Sequence, residues 1–225
     1  KLKITVIQPL TTIMERIINM TIEAESDLVI WPEAVTKFDE TVSKLVPKKV
    51  VIGGFFRQEN TNVYTSAINL KTGHHYDKRN LVPFGEFQPF GSLLKSINNF
   101  FNIPNSSLSR GSFYQTKADW SALICWELVF NETFTRRVRG TKYIVHMSND
   151  KWYGSSMPAQ HLKHAKARAV ESNKWVVRAT LDGISQIISP RSNESSVILK
   201  RGEMGSITHE ITLNSQDTFY IKHGD

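Results

Sequence analysis

Short strand-like runs alternate with helical stretches along the chain, and this alternation restricts the fold more than any other feature. The runs are rich in Val, Ile and Phe and are bounded by turn residues, as at Lys71–Gly73. Two stretches instead repeat apolar residues at helical spacing, from about Thr12 to Glu25 and from about Ala159 to Asn173. The mixture predicts a layered α/β fold. Because 225 residues bury a sizeable core, we expect one domain over residues 1–225.

The expected elements follow from composition and spacing. Strands are predicted over residues 3–8, 27–31, 50–56, 63–70, 73–76, 120–125, 142–146, 175–180, 184–188, 197–200 and 206–213. Core-facing helical residues are predicted at Ile13, Ile17 and Met20 in the first helix and at Leu162, Ala165, Ala169 and Ser172 in the second. In the second helix, Lys163, Lys166, Arg168 and Lys174 are expected on a charged face, with Arg168 an exception if it is buried against Glu171.

The charge balance limits the partners. Lys and Arg total 28 against 21 Asp and Glu, and the net charge of +7 suits either an anionic membrane surface or a solvated basic face. No basic nucleic-acid motif accompanies it, so we expect no nucleic-acid partner. The longest apolar run, Val50–Phe56, is too short to span a membrane, and we expect no signal peptide at the start of this sequence. A complete soluble protein and a domain of a larger chain both stay open.

Three reactive side chains follow predicted strands. Glu33 comes after the strand 27–31, Lys78 follows the strand 73–76, and the only cysteine, Cys125, ends the strand 120–125. In layered α/β folds, ligands bind at the carboxyl ends of strands, so these side chains are expected to converge. Each also has a structural explanation, because a lone cysteine is often a small buried hydrophobe and a glutamate or lysine often lies at the surface.

The three residue types together suit acyl transfer. A thiolate is the nucleophile, and a nearby cation or base raises its population. A carboxylate can take the thiol proton and later activate the second acceptor. An ammonium beside the carbonyl can stabilise the oxyanion. The pattern therefore favours Cys125, Glu33 and Lys78 as a catalytic group.

Several motifs extend this interpretation. Trp31–Glu33, Lys78, Cys125–Glu127 and Ser148–Gly154 resemble the nitrilase superfamily, the carbon–nitrogen hydrolases. The resemblance implies a four-layer α-β-β-α sandwich with a Glu-Lys-Cys triad. In it Cys125 would be the nucleophile, Glu33 the general base and Lys78 the oxyanion stabiliser.

Further motifs narrow the family. The stretches 78–86, 160–161, 178–180, 183–185 and 218–220 resemble the apolipoprotein N-acyltransferases. That resemblance implies a phospholipid acyl donor, an acceptor amine on a lipoprotein N-terminal diacylglyceryl-cysteine, and no cofactor. It also implies a place at the bacterial inner membrane with the catalytic domain on the periplasmic face. Membrane helices would flank the domain, and none is expected within residues 1–225.

The resemblance also implies supporting residues. Glu86 would be an additional glutamate on a lid, and Trp126 and Glu127 would lie beside the nucleophile. Trp126 departs from the tyrosine usual in that family, which puts any hydroxyl hydrogen bond in doubt. Asn149, with Asp150, either supports the site or caps a loop. Glu127 is expected to be functional, because a carboxylate two residues from a buried strand end is costly without a role.

The remaining features carry alternatives. The segment 84–114 is expected to be a lid, whose apolar patch contacts the bilayer or packs on the core; the patch comprises Leu93, Leu94, Ile97, Phe100 and Phe101. His161 and His164 could form a metal pair, but no third ligand is evident and we expect no metal. Besides the transferase, a soluble amidase and an inactive binding domain remain as alternative functions, although the intact trio disfavours the last.

Overall fold

The computed structural model describes residues 1–83, 85–87, 108–152, 154, 156–191 and 194–224. In these ranges the strands are β1 Leu2–Gln8, β2 Leu28–Ile30, β3 Thr36–Lys37, β4 Val50–Glu59, β5 Asn62–Asn69, β6 His75–Asp77, β7 Trp120–Ile124, β8 Tyr143–Ser148, β9 Val176–Thr180, β10 Gln186–Ile188 and β11 Gly205–Ile211. The α-helices are α1 Met14–Ile22, α2 Thr41–Leu45, α3 Asn131–Val138, α4 Met157–Ser172 and α5 Phe219–His223. Short 3₁₀ helices follow β7 at Cys125–Val129 and β8 at Asp150–Trp152.

The described strands form two sheets. The first has the order β11-β1-β2-β4-β5-β6, with β3 on β4, and the second has the order β10-β9-β8-β7. The pairs β1–β2 and β2–β4 are parallel in the first sheet, and β7–β8 and β8–β9 are parallel in the second. Antiparallel strands flank both parallel sets. Parallel strands are usually covered on both faces, and even polar residues of these strands, such as Thr5, His146 and Arg178, are buried.

The layers follow from the two-residue period of the strands. On β1, Ile4 and Val6 enter the core between the sheets, together with Ala122 and Ile124 of β7. On the opposite face, Ile7 of β1 packs in a second core.

Helices cover the outer face of each sheet. Ile17 of α1 lies in the core outside the first sheet. Ala165 of α4 and Phe134 of α3 lie with Leu123 of β7 in the core outside the second. The expected four-layer α-β-β-α arrangement is confirmed.

Most predicted elements are present, with boundaries shifted by a few residues, but the strand predicted at 197–200 is wrong. A single antiparallel bridge joins Leu199 to Ser185, and Val197 is 76% exposed. Ile13 is also wrong as a core residue, because α1 starts one residue later and Ile13 is 59% exposed. Leu199 nevertheless packs against the core between the sheets, whereas Val197 and Ile13 lie at the surface.

The second helix confirms the predicted burial of Leu162, Ala165, Ala169 and Ser172. Arg168 is buried and donates from Nη1 to Glu171 Oε2 at 2.7 Å. Lys174, predicted on a charged face, is instead fully buried. Its Nζ donates to the carbonyls of Asn214 and Gln216 at 3.2 and 3.0 Å and pairs with Asp217. The segment from Asn214 to Asp217 therefore covers the Lys174 ammonium and excludes it from solvent.

Within the described ranges, no helix has the length and apolar composition needed to cross a bilayer. Most of the segment 84–114 that was predicted to form a lid, including the whole patch of Leu93, Leu94, Ile97, Phe100 and Phe101, lies outside the described residues. Its two ends are described. Leu108 N donates to Glu86 O at 2.8 Å, and Gly111 N donates to Lys78 O at 2.9 Å. The returning end is thus attached to the backbone beside Lys78.

Candidate active site

Lys78 lies between two carboxylates. It follows β6, and its side chain is 0% exposed. Its Nζ donates to Glu33 Oε1 at 3.1 Å and to Glu86 Oε1 at 2.7 Å. Glu33 follows β2, so two strand ends of the first sheet bring their charged residues together, as expected from the sequence. Glu86 accepts a second bond from Val82 N at 2.8 Å, which orients its carboxylate toward the lysine.

The charges in this cluster change each other's ionisation. Burial opposes the charge on Lys78, yet Glu33, Cys125 and Glu86 together hold the pKa of Lys78 above its ordinary value. Burial raises the pKa of Glu33, and Glu86 adds to that rise, while Lys78 acts against it. The lysine therefore stays an ammonium at neutral pH. The buried glutamate exchanges its proton at a higher pH than a free glutamate, which suits a general acid and base.

Glu33 is held by both sheets. Its second oxygen, Oε2, accepts a hydrogen bond from Asn149 N at 3.0 Å, and Asn149 directly follows β8 of the second sheet. Gly54 on β4 packs against the backbone of Glu33, since a Cβ at Gly54 would lie 2.6 Å from Glu33 Cα. The predicted supporting residue Asn149 thus reaches the cluster through its main chain.

Cys125 has an unusual backbone conformation at the end of β7. It is buried and has φ 55°, in the left-handed region that residues with a Cβ rarely adopt. Such a conformation costs about 1–3 kcal/mol and is often found at functional sites. Ile124 N, just before Cys125, and Arg79 N, just after Lys78, donate to the same carboxylate of Glu127, so the main chains of the cysteine and the lysine lie close together. The structure therefore brings all three strand-end residues together, with Cys125 from the second sheet.

Glu127 is fully buried and accepts hydrogen bonds on both oxygens. Its Oε1 accepts from Tyr76 Oη at 2.8 Å and from Arg79 N and Asn80 N at 2.8 and 3.1 Å, and its Oε2 accepts from Ile124 N at 2.9 Å. Burial raises its pKa, although these bonds favour the carboxylate. Arg79 follows Lys78 and Ile124 precedes Cys125. Glu127 therefore links the main chain beside Lys78 to the main chain beside Cys125.

A second buried network lies beyond Cys125. Asp150 accepts hydrogen bonds from Arg178 Nη2 at 2.6 Å and contacts His161 Nδ1 at 2.9 Å. The Trp126 ring packs edge-to-face on His161, with centroids 4.5 Å apart. His161 is thus engaged with a carboxylate and an aromatic ring, whereas His164 is exposed. In the described part of the chain no three His, Cys, Asp or Glu side chains form a group suited to a metal ion.

Sequence reasoning missed several members of these networks. His146 on β8 and Tyr76 on β6 are buried polar residues inside predicted strands, and neither was singled out. In the sequence, Arg178 stands out only as part of the stretch 178–180. A buried strand position occupied by His or Arg is itself a signal, because such a side chain requires a partner.

Comparisons with known proteins identify the family of this chain. The carbon–nitrogen hydrolase family profile matches residues 48–218. Proteins named apolipoprotein N-acyltransferase are 31% identical over 236 residues in Shewanella oneidensis and 33% identical over 196 residues in Pasteurella multocida. These matches cover 89% and 83% of this chain but 45% and 35% of the relatives, so the chain spans less than half of their length.

A solved structure supports the fold. It is a CN-hydrolase superfamily protein from Xanthomonas campestris, with a TM-score of 0.66 at 15% identity, and the alignment covers 94% of this chain and 90% of that one. The structural similarity supports the four-layer fold. At this low sequence identity it carries no information about the substrate. Because the family profile matches well over half of the residues and the fold agrees, the chain belongs to the carbon–nitrogen hydrolase family.

Proposed function

We propose that this chain is the catalytic part of an apolipoprotein N-acyltransferase, with Cys125 as nucleophile, Glu33 as general base and Lys78 as oxyanion stabiliser. The observation that carries the proposal is the fully buried Lys78 ammonium between Glu33 and Glu86, next to a cysteine in a left-handed conformation. The names of relatives at 30% identity and above favour an acyltransferase over a soluble amidase.

The first half-reaction would load the enzyme. Glu33 takes the thiol proton, and Cys125 Sγ attacks the ester carbonyl carbon of a phospholipid. Lys78 stabilises the negative oxygen that forms. When the ester carbon–oxygen bond breaks, Glu33 returns the proton to the leaving alkoxide. The products are a lysophospholipid and an acyl thioester on Cys125.

The second half-reaction would transfer the acyl chain. The amine of a diacylglyceryl-cysteine attacks the thioester carbon, and Glu33 removes a proton from the nitrogen. The carbon–sulfur bond then breaks, and the amide product leaves with Cys125 restored as the thiol. Both half-reactions use the same base, so loss of Glu33 is expected to block loading and transfer alike. The proposed location is the inner membrane, with this part on the periplasmic face.

Glu86 has a distinct proposed role. It lies at the start of the segment 84–114 and accepts a hydrogen bond from the same Lys78 Nζ that donates to Glu33. One ammonium shared by two carboxylates leaves the group with a net negative charge. This charge favours the protonated form of Glu33, which can act as a general acid. Glu86 is proposed to tune the base rather than to bind the reacting atoms.

The test is to incubate the protein with phospholipid vesicles and to follow the mass of the chain. An acyl adduct that is removed by hydroxylamine and maps to Cys125 is expected, and a diacylglyceryl-cysteine peptide should discharge it to an amide. Glu33→Gln should give no adduct, whereas Glu15→Gln, a change on α1, should behave as the parent. Release of ammonia from small amides without any lipid adduct would instead favour the amidase.

A further inference from the structure

A chain of buried side chains leads from the backbone of Cys125 to Asp150. His146 lies on β8 and Arg178 on β9, and both are fully buried. The strand register pairs Leu123 with His146 and His146 with Arg178, so the side chains of His146 and Arg178 are neighbours on one face of the second sheet. The adjacent Val145 enters the core between the sheets, so this face is the outer one.

The hydrogen bonds of His146 determine which ring nitrogen carries the proton. Arg178 Nη1 lies 2.7 Å from His146 Nδ1, and a guanidinium can only donate. Nδ1 therefore accepts and has no hydrogen. His146 Nε2, 3.0 Å from the carbonyl oxygen of Cys125, then carries the proton and donates to that oxygen. Burial and the Arg178 charge hold the pKa of His146 well below its ordinary value, so the ring stays neutral.

Arg178 is itself fixed from the other side. Its Nη2 donates to Asp150 Oδ2 at 2.6 Å and its Nε donates to the carbonyl of Ile184 at 2.8 Å. His146 is consequently held between a rigid guanidinium and the main chain of Cys125. The ring has one orientation that satisfies both of its nitrogens.

The bonded carbonyl belongs to the residue with the strained backbone. Cys125 has φ 55°, and the orientation of its carbonyl is part of that conformation. A relaxed backbone would turn both the carbonyl and the Sγ side chain. Something must therefore compensate the strain, and His146 is bonded to this oxygen.

We propose that His146 is a positioning residue, whose Nε2–H holds the carbonyl of Cys125 and so keeps the thiol directed toward Lys78 and Glu33. This rests on the proposed role of Cys125 as the nucleophile. His146 acts through the backbone and does not touch the substrate. Asp150 and Arg178 contribute by fixing the tautomer and the ring orientation.

The experiment uses the fact that Cys125 is the only cysteine. Alkylation by iodoacetamide, followed by mass, reports this thiol alone and needs no acyl donor. His146→Met removes both hydrogen bonds with an apolar side chain. His146→Gln keeps an acceptor oxygen and a donor nitrogen at a similar separation. His164→Met, the same change at an exposed histidine, is the matched control.

His146→Met is expected to slow alkylation by about tenfold or more at neutral pH, the size of one ordinary hydrogen bond, and to shift the pH profile of the rate upward. The shift follows because a thiol turned away from the ammonium ionises less readily. His146→Gln and the control are expected to stay within about threefold of the parent, a difference smaller than one hydrogen bond. In the acyl-transfer assay, kcat should fall while KM is unchanged.

Two outcomes would overturn the proposal in folded protein. One is a His146→Met variant that alkylates like the parent, and the other is a His146→Gln variant as slow as the Met variant. If the Met variant does not fold, nitrogen-15 spectra of the unaltered protein decide, because the proposal requires a neutral ring with the hydrogen on Nε2. Absence of any lipid adduct alongside the expected alkylation series would count against the acyltransferase and not against His146.

Discussion

Two groups of buried charged side chains flank Cys125, and they differ in how their charges are balanced. In the first, Lys78 contacts both Glu33 and Glu86, so one ammonium serves two carboxylates. In the second, Arg178 and Asp150 form a pair with both side chains 0% exposed. Glu33 and Lys78 of the first group follow β2 and β6, and the second group is connected through His146 to the carbonyl oxygen of Cys125.

The two groups shift the pKa values of their carboxylates in opposite directions. Burial raises the pKa of Glu33, and Glu86 adds to it. For Asp150 burial acts in the same direction, but the hydrogen bond to His161 and the charge of Arg178 prevail and hold its pKa below the ordinary value. A carboxylate that shares its cation can exchange a proton during a reaction, whereas one with its own guanidinium stays charged. The comparison indicates chemistry in the first group and support in the second.

The largest effect is expected at the nucleophile. Cys125→Ala should lower acyl transfer by about a thousandfold or more, because no other side chain can form the thioester. The fold should persist, since the change removes one small atom group. Cys125→Ser should also be very slow, because a hydroxyl ionises far less than a thiol. Transfer assays together with thermal unfolding monitored by circular dichroism check both; a fully active alanine variant would remove Cys125 from the mechanism.

The second prediction concerns the ammonium in the first group. Lys78→Arg should reduce transfer by about a hundredfold or more, because a planar guanidinium cannot replace a compact ammonium at an oxyanion. Lys71→Arg, an identical change at an exposed turn, should leave the rate unchanged. Single-turnover measurements of thioester formation provide the comparison. Near-normal loading in the Arg variant would move Lys78 to a structural role.

The third prediction addresses the second group. Asp150→Asn leaves the buried Arg178 without its charged partner, so the free energy of unfolding should fall by about 3–5 kcal/mol. Asp119→Asn breaks the exposed ion pair with Lys142 and should cost less than about 1 kcal/mol. Urea denaturation of both variants measures the difference. If Asp150→Asn were as stable as the parent yet inactive, the division into chemistry and support would fail.

The smallest effect is expected at Glu86. The rate should rise with pH as Glu33 loses its proton, at a pH above the ordinary glutamate range because the pKa of Glu33 is raised. Glu86→Gln removes a negative charge that contributes to that rise. The pKa of Glu33 should therefore fall, and the acid limb of the pH–rate profile should move to lower pH.

Initial rates of thioester formation across the acid limb measure this shift. Glu59→Gln, which removes an exposed carboxylate paired with Arg57, should leave the limb in place. A limb that moved to higher pH in Glu86→Gln would contradict the sign of the interaction between Glu86 and Glu33.

Local sequence patterns were sufficient to predict the layered fold and the three reactive residues. Period-two and helical spacing depend only on near neighbours, and they predicted most strands, both long helices and the burial of Ala165 and Ala169. The strand ends predicted that Glu33, Lys78 and Cys125 would come together. The same logic failed at Ile13 and at the predicted strand 197–200, where Val197 and Ile198 lie at the surface.

What only the tertiary structure decided is the pairing of polar groups. Asn149 N reaches Glu33 from 116 residues away, and Tyr76 reaches Glu127 from 51 residues away. Lys174 is buried because a segment near the C-terminus supplies carbonyls to its ammonium. The sequence alone determined where the strands lie and which residues follow them, because hydrophobic periodicity depends only on near neighbours in the chain. Which carboxylate shares a cation and which has its own depends on contacts between distant segments, and only the packed sheets establish those contacts.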